Sequence, residues 1–217
     1  MQDDLFLKSE SDKYFQRNFD KIVNTTRETD AFYSSFLKMN VKPKSVLELG
    51  CANGFRLSWF KEDFNSDCLG VEPSPLAIDD GRKRFPNISL EQGTFERIEK
   101  TQRTFDLILL GFFMYVVPRE KLFKLSFEVD SHLLNNGFIG ISDFTSTIPM
   151  ANEYKHLKGV NSYKFNPTQM FDWNPQYSEV FRCVRNHDGT TFDGDQNNSI
   201  VTSFIHKNSV SKSYIHK

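Results

Sequence analysis

At 217 residues, with 38% hydrophobic and 25% charged residues, the chain is balanced for one globular domain with a sizeable core. A net charge of -1 with no basic stripe argues against a phosphate-tracking surface, so no nucleic-acid partner is expected. Three scattered cysteines, Cys51, Cys68 and Cys183, exclude a disulfide framework and a zinc site, and no metal is expected.

Residues 1–42 are polar with spaced apolar positions at Tyr14, Phe15, Phe19, Ile22, Phe32, Phe36 and Leu37, which predicts one or two amphipathic helices ending before Pro43. An alternation follows: a short apolar strand at 45–49, a turn at 50–54, a helix at 55–64, a strand at 68–71 and a helix at 75–84. A third strand is read at 88–91 and a fourth, strongly apolar one at 105–110. Helical periodicity runs through 118–134, Asn135-Asn-Gly137 is a turn, and 138–144 is a fifth strand. Strands alternating with helices predict parallel βαβ units whose sheet is covered on both faces.

After Phe144 the pattern changes. About thirty residues, broken by Pro149, Gly159, Pro167 and Pro175, run to Gln176; a connection of that length is usually functional or disordered. Two strands, 177–184 and 200–206, then flank a turn-rich link and are expected to pair as an antiparallel hairpin at one sheet edge. The start, Met-Gln-Asp-Asp-Leu-Phe-Leu-Lys, does not read as a secretion leader, and the apolar run at 107–117 is too short to span a bilayer. A cytoplasmic protein without a membrane partner is expected.

The turn after the first strand reads Glu48-Leu-Gly50-Cys-Ala-Asn-Gly54. Gly50 allows close approach of a ligand to the backbone, and Gly54 opens a helix whose free N–H groups attract negative charge. The dinucleotide fingerprint G-x-G-x-x-G is not met, because Ala52 and Phe55 stand where glycines are needed, and no G-x-x-x-x-G-K-[ST] loop occurs.

The segment Val46-Leu-Glu-Leu-Gly-Cys-Ala-Asn-Gly54 resembles the first motif of class I S-adenosylmethionine-dependent methyltransferases, E-x-G-x-x-x-G after a strand. Leu69-Gly-Val-Glu72-Pro-Ser-Pro is similar to the family's second strand end, where an acidic residue binds the ribose hydroxyls, and a carboxylate suits that role because it accepts both hydroxyl hydrogens. Segments 90–98, 105–113 and 134–144 resemble the later blocks in the right order, so the likeness covers roughly 44–144. The flanks Ser11-Asp-Lys-Tyr-Phe-Gln-Arg17-Asn18 and Tyr154-Lys-His-Leu-Lys-Gly-Val-Asn-Ser-Tyr-Lys-Phe-Asn-Pro167 resemble a bacterial subgroup linked to surface-polysaccharide and sugar modification.

The resemblance implies an α/β fold, a doubly wound seven-stranded sheet of order 3-2-1-4-5-7-6 with the last strand antiparallel, N-terminal helices and an insertion after the fifth strand. It divides the chain into a helical cap at 1–42, a methyltransferase domain at 43–207 and a tail at 208–217. It implies S-adenosyl-L-methionine as cofactor and S-adenosyl-L-homocysteine as product. The cofactor-binding residues implied are Tyr14, Arg17, Glu48, Gly50, Cys51, Ala52, Asn53, Glu72, Pro73, Gly93, Thr94, Phe95, Gly111, Phe112 and Phe113, with Arg17 suited by its fork-shaped guanidinium to the methionine carboxylate. The substrate contacts expected are Tyr115, Tyr154, Lys155 and Tyr163. Asp143 and His156 are the catalytic candidates, His156 because its ordinary pKa suits proton removal near neutrality.

No Asn- or Asp-Pro-Pro-aromatic block and no Pro-Cys nucleophile are present, so a small-molecule hydroxyl, on a sugar or nucleotide sugar, is the expected acceptor. A monomer or homodimer is expected. Two other readings stay open: a non-catalytic subunit that binds S-adenosylmethionine, and another group transfer using a modified form of the same cofactor.

Overall fold

The computed structural model describes residues 10–214. Residues 1–9, with the start on which the absence of a leader was read, and residues 215–217 of the expected tail lie outside the described residues. Helices α1 (Ser11–Asn24) and α2 (Ala31–Leu37) lead into β1 (Ser45–Leu49), α3 (Phe55–Phe64), β2 (Asp67–Glu72), α4 (Pro75–Arg84), β3 (Ser89–Gln92) and β4 (Phe105–Gly111). Helix α5 (Leu122–His132) and β5 (Leu133–Phe144) follow, then a hairpin of β6 (Met150–Glu153) and β7 (Asn161–Lys164), then β8 (Tyr177–Asn186), β9 (Ser199–Lys207) and a helical turn, α6 (Val210–Ser213).

The main sheet has seven strands in the order β3-β2-β1-β4-β5-β9-β8. Strands β1 to β5 are parallel, and β9 runs antiparallel to β5. This is the doubly wound Rossmann-like sheet that the resemblance implies, with an antiparallel last strand. The strand numbers differ from the expected order because the insertion, in which the breakers mark no strand, contributes a separate hairpin, β6–β7. Two further expectations shift. The helix of 118–134 begins only at Leu122, after a tight turn at Arg119–Lys121, because Pro118 holds an extended backbone. The turn at Asn135-Asn-Gly137 falls inside β5 as a bulge: Phe105 pairs with Leu133 but Leu107 with Phe138, and Asn136 takes φ 65°.

Local signals explain the helix ends. The Asp30 side chain accepts the Tyr33 N–H at the start of α2, and the Ser74 hydroxyl accepts the Ala77 N–H at the start of α4, with Pro75 in the first turn. Arg82, Lys83 and Arg84 close α4, where cations favour the helix dipole. Helix α1 buries Phe15 and Ile22 against Ala77 of α4.

The core lies on both sheet faces. One side gathers Leu47, Leu49, Leu69, Phe105, Ile108 and Ile141. The other is aromatic, with Phe32, Tyr33, Phe36, Phe60 and Phe204; Phe36 meets Phe60 edge-on at 5.0 Å. The outer strand β8 exposes Glu179 and Arg182, charges that discourage edge pairing.

Close approach under the glycine turn is set by Gly81 of α4, where an added Cβ would lie 2.3 Å from the Asn53 carbonyl oxygen and 2.5 Å from a Leu90 methyl. The Gly81→Ala variant should lose about 1–3 kcal/mol of stability by overpacking. Urea denaturation measures this, and an unchanged midpoint would refute the tight contact.

Candidate active site

In open sheets of this kind ligands bind beyond the carboxyl ends of the strands, where the strand order reverses. Here the reversal falls at β1, which pairs with both β2 and β4. The glycine turn leaves β1 at that point. Gly50 has φ 72° and Gly54 φ 80°, values that favour glycine. Ala52 shares the left-handed region at φ 51°. Asn53 is buried, and its side chain donates to Asp80 at 2.8 Å while accepting the Phe55 N–H at 3.2 Å. Its side chain therefore secures α3 to α4. The Cys51 thiol is buried and pushed well above its ordinary pKa by desolvation, so it is not a nucleophile.

Glu72 ends β2 directly beside this turn. One carboxylate oxygen accepts the Ala52 N–H at 3.0 Å and the other accepts the Ser74 N–H at 2.9 Å. Burial pushes its pKa up to about 7, against the two N–H bonds that favour the charged form. Pro73 follows, and its carbonyl accepts a Gln92 side-chain N–H at 3.4 Å.

Glu48 lies fully buried in β1, and its carboxylate pairs with the Arg56 guanidinium of α3. Arg56 also reaches Asp30 at 2.8 Å and lies over the rings of Phe32 and Phe55. One Glu48 oxygen, Oε2, has no hydrogen-bond partner. Desolvation raises the Glu48 pKa to about 7, while the neighbouring Arg56 lowers it. Neither Arg56 nor Asp30 is marked by the sequence, because a charged residue on a helix or at its cap ordinarily faces water.

Helix α1 covers the strand ends. Asp12 accepts from the Ser74 hydroxyl at 2.6 Å and the Leu76 N–H at 3.2 Å, docking α1 on the start of α4. Tyr14 is half-buried, and its hydroxyl is pushed up to about 12 first by desolvation and then by Tyr154, Glu72 and Asp143 nearby. Arg17 does not stand free: its guanidinium donates to Glu10 at 2.5 Å. The same Glu10 oxygen accepts from the Tyr154 hydroxyl at 3.3 Å, and the other oxygen is buried without a hydrogen-bond partner. Glu10 too was missed, since nothing local marks it as buried.

Asp143, at the end of β5, accepts the Met114 N–H at 2.8 Å and the Phe144 N–H at 2.7 Å. Burial raises its pKa to about 7. Both oxygens are engaged by backbone, so Asp143 braces the turn after β4. In that turn Phe112 adopts φ 51°, a strained conformation for an aromatic residue. Its ring faces Phe144 and His187, whereas Phe113 lies against Gly50. Gly111 lies near Glu48 and Arg56. Phe95 is buried in the core, so Gly93 and Thr94 are the partly exposed members of their segment.

The insertion packs on this turn. Tyr115 and Tyr154 are buried with ring centroids 6.3 Å apart. Tyr163 lies 4.2 Å from the Arg119 guanidinium. Lys155 is exposed. His156 is also exposed, with its ring edge-on to Tyr154 at 5.4 Å. The structure thus gathers Tyr14, Arg17, Glu72, Asp143, Tyr115 and Tyr154 over the strand ends and leaves His156 and Lys155 at the rim. A separate apolar cavity of about 410 Å3, lined by Met39, Phe138 and Phe181 among others, lies at the amino end of β5, away from this site.

Among the described residues no cluster of side chains suited to a metal ion occurs, and no helix is long and apolar enough to cross a membrane.

Residues 46–137 match the family described as a methyltransferase domain. A comparison of the sequence with curated proteins gives no match. The chain is similar in structure to a Burkholderia thailandensis 1,6-didemethyltoxoflavin-N1-methyltransferase with bound 1,6-didemethyltoxoflavin and S-adenosylhomocysteine, at TM-score 0.70 and 12% identity over 94% of this chain and 88% of that one. It is also similar to a Listeria monocytogenes S-adenosylmethionine-dependent methyltransferase, described as putative, at TM-score 0.64 and 15% identity over 82% and 98% of the two chains. The N-methyltransferase NodS from Bradyrhizobium japonicum, in complex with S-adenosyl-L-homocysteine, matches at TM-score 0.61 and 12% identity over 92% and 99%. The match runs from β1 into β5 of a Rossmann-like sheet, a fold that these methyltransferase structures share. That match and fold support S-adenosyl-L-methionine as the cofactor.

The buried ion network gives one prediction. Arg56→Met leaves two buried carboxylates unpaired and should cost about 3–5 kcal/mol in urea denaturation. A loss under about 1 kcal/mol, the range of an exposed pair, would contradict the burial. The raised carboxyls give another. Glu48, Glu72 and Asp143 bind protons more tightly folded than unfolded, so their contribution to stability is present below their ordinary pKa values and is lost as pH rises through about 7. The ligand-free protein should therefore gain from these groups between about pH 8 and about pH 5.5. Glu72→Gln should flatten that gain, and an identical slope in the variant would count against it.

Proposed function

We propose that the chain transfers a methyl group from S-adenosylmethionine to a small molecule, by O-methylation of a sugar or nucleotide sugar. The observation that carries the reading is Glu72: a buried carboxylate at the end of β2, held by the N–H groups of Ala52 and Ser74 beside the glycine turn. In this reading Glu72 accepts the ribose hydroxyls, the backbone of Gly50 to Asn53 lies along the cofactor, and the Gly93–Thr94 backbone borders the adenine. Arg17 holds the methionine carboxylate, which exchanges with Glu10 as the partner of the guanidinium.

When bound, the cofactor supplies an electrophilic methyl group on a sulfonium centre. The protein's part is orientation and exclusion of water. Tyr14, Tyr115 and Tyr154 close the site from α1, the turn after β4 and the insertion. Asp143 keeps the turn of Phe112 to Tyr115 in place. Where the acceptor is a neutral hydroxyl, its proton passes to His156, whose ring packs on Tyr154. The chain is divided as a cap at 1–42, a methyltransferase domain at 43–207 and a tail at 208–217, and acts in the cytoplasm as a monomer or homodimer. A nitrogen acceptor is the second reading, because the Burkholderia and Bradyrhizobium proteins are N-methyltransferases.

Calorimetry with S-adenosylmethionine and S-adenosylhomocysteine tests the reading, and failure of both to bind overturns it. Glu72→Ala should weaken binding by about 1.5–3 kcal/mol, the value of a hydrogen bond to a charged group. Because ribose hydroxyls favour the ionised carboxylate, binding near neutral pH should release a proton from Glu72. Titrations in buffers of different ionisation enthalpy read that release, which Glu72→Gln should abolish.

A further inference from the structure

The acceptor side of the site has a wall and a charge that the methyl-transfer reading does not use. The wall is Phe144, which ends β5 beside Asp143. Tyr115 meets its ring edge-on at 5.2 Å and Phe112 at 6.0 Å. The imidazole of His187, from the link between β8 and β9, is tilted against the same ring at 5.1 Å. The Lys164 ammonium of β7 lies 4.7 Å from that ring. Phe144 is thus flanked by a cation and a histidine supplied by two different elements, the insertion and the sheet edge.

More positive charge stands around this pair. Burial first disfavours protonation of His187, and Lys21 of α1, Lys164 and Arg185 of β8 add to it; burial also disfavours protonation of Lys164, with Lys155 acting in the same sense. None of these five side chains is in an ion pair among the described residues. Lys164 donates to the Asn197 carbonyl, and Arg185 donates to the Thr202 hydroxyl at 3.3 Å. Toward Arg185 stands Asp30, which already pairs with Arg56, and the other acidic groups facing the cluster are Asp188 and Asp195. Both serve the loop: Asp188 accepts the Thr190 N–H at 2.9 Å and Asp195 the Asn197 N–H at 2.8 Å. In a chain of net charge -1, this leaves a local excess of uncompensated cations. Three elements, α1, the insertion and β8, bring these cations to one rim, and the link after β8 adds the imidazole of His187.

We propose that this rim is the subsite for an anionic group, a carboxylate or a phosphate, carried by the methyl acceptor. Lys164 and His187 make its first contacts, and the rings of Phe144 and Phe112 are the face on which the rest of the acceptor lies. The anion relieves the mutual repulsion of the cations, and the aromatic face favours a ring presented flat. The inference rests on the methyltransferase reading and adds the chemistry of the acceptor.

The test uses the full chain saturated with S-adenosylhomocysteine, titrated in a calorimeter at low salt with inorganic pyrophosphate, glucuronate and glucose. Pyrophosphate or glucuronate should bind and glucose should not, and the tighter of the two anions separates phosphate from carboxylate. Lys164→Ala and His187→Ala should each weaken the anion by about tenfold or more, with S-adenosylhomocysteine affinity unchanged as proof of folding. Lys164→Arg, which keeps the charge, should retain most of the affinity. Equal binding of glucose and the anions, or unchanged anion binding in both alanine variants, overturns the subsite. Failure of S-adenosylhomocysteine to bind overturns the methyltransferase reading itself, whereas cofactor binding without anion binding overturns only the subsite.

Discussion

The site depends on carboxylates kept out of water at the ends of parallel strands. Desolvating a charged carboxylate is costly, and the protein offsets that cost with backbone N–H groups and one guanidinium. Glu72 is held between Ala52 and Ser74, Asp143 between Met114 and Phe144, and Glu48 against Arg56. Each carboxylate fixes the loop that leaves its own strand or a neighbouring one. The glycine turn, the start of α4 and the turn after β4 are therefore set by acids. The same burial leaves their pKa values near neutrality, so the rigidity of the site and its proton affinity have one origin.

The cover is tied to this floor by polar contacts. Asp12 links α1 to Ser74, next to Glu72 in space as well as in sequence. Glu10 joins Arg17 of α1 to Tyr154 of the insertion, so two segments distant in the chain close over the strand ends through one carboxylate. Its second oxygen has no partner, and a buried acceptor without a donor carries a desolvation cost.

Much of the frame was legible in the sequence because the chain is punctuated. Gly54, Asn65, Ser74 and Pro75 mark turns and caps, and α3 and α4 occupy the spans read for them. The strands read from apolar runs fall within one or two residues of β1 to β4, since both sheet faces demand apolar side chains. The hairpin β6–β7 was not legible, because Met150–Glu153 and Asn161–Lys164 carry polar residues and expose much of their surface. Glu10, Asp12, Asp30 and Arg56 were not legible either. A charged side chain on an amphipathic helix has an ordinary place in water, and only the tertiary pairing of distant segments shows that these four are engaged. His187 was hidden for the same reason: it lies in a turn-rich link, and its contact with Phe144 exists only because β9 pairs with β5.

That pairing also orders charge across the site. The acids Glu48, Glu72 and Asp143 sit at the ends of β1, β2 and β5, under the region that the glycine turn borders. The cations Lys164 and Arg185, with the imidazole of His187 beside them, stand at the outer rim, on the hairpin and the antiparallel edge. Charges separated in this way set up a field across the strand ends, beside the aromatic wall of Phe112, Phe144 and Tyr115. An antiparallel strand inserted beside β5 is what makes the arrangement possible. It brings the link between β8 and β9 to the same end of the sheet as the parallel strand ends, so the edge hairpin, remote in sequence from the glycine turn, forms the opposite lip of the same cleft.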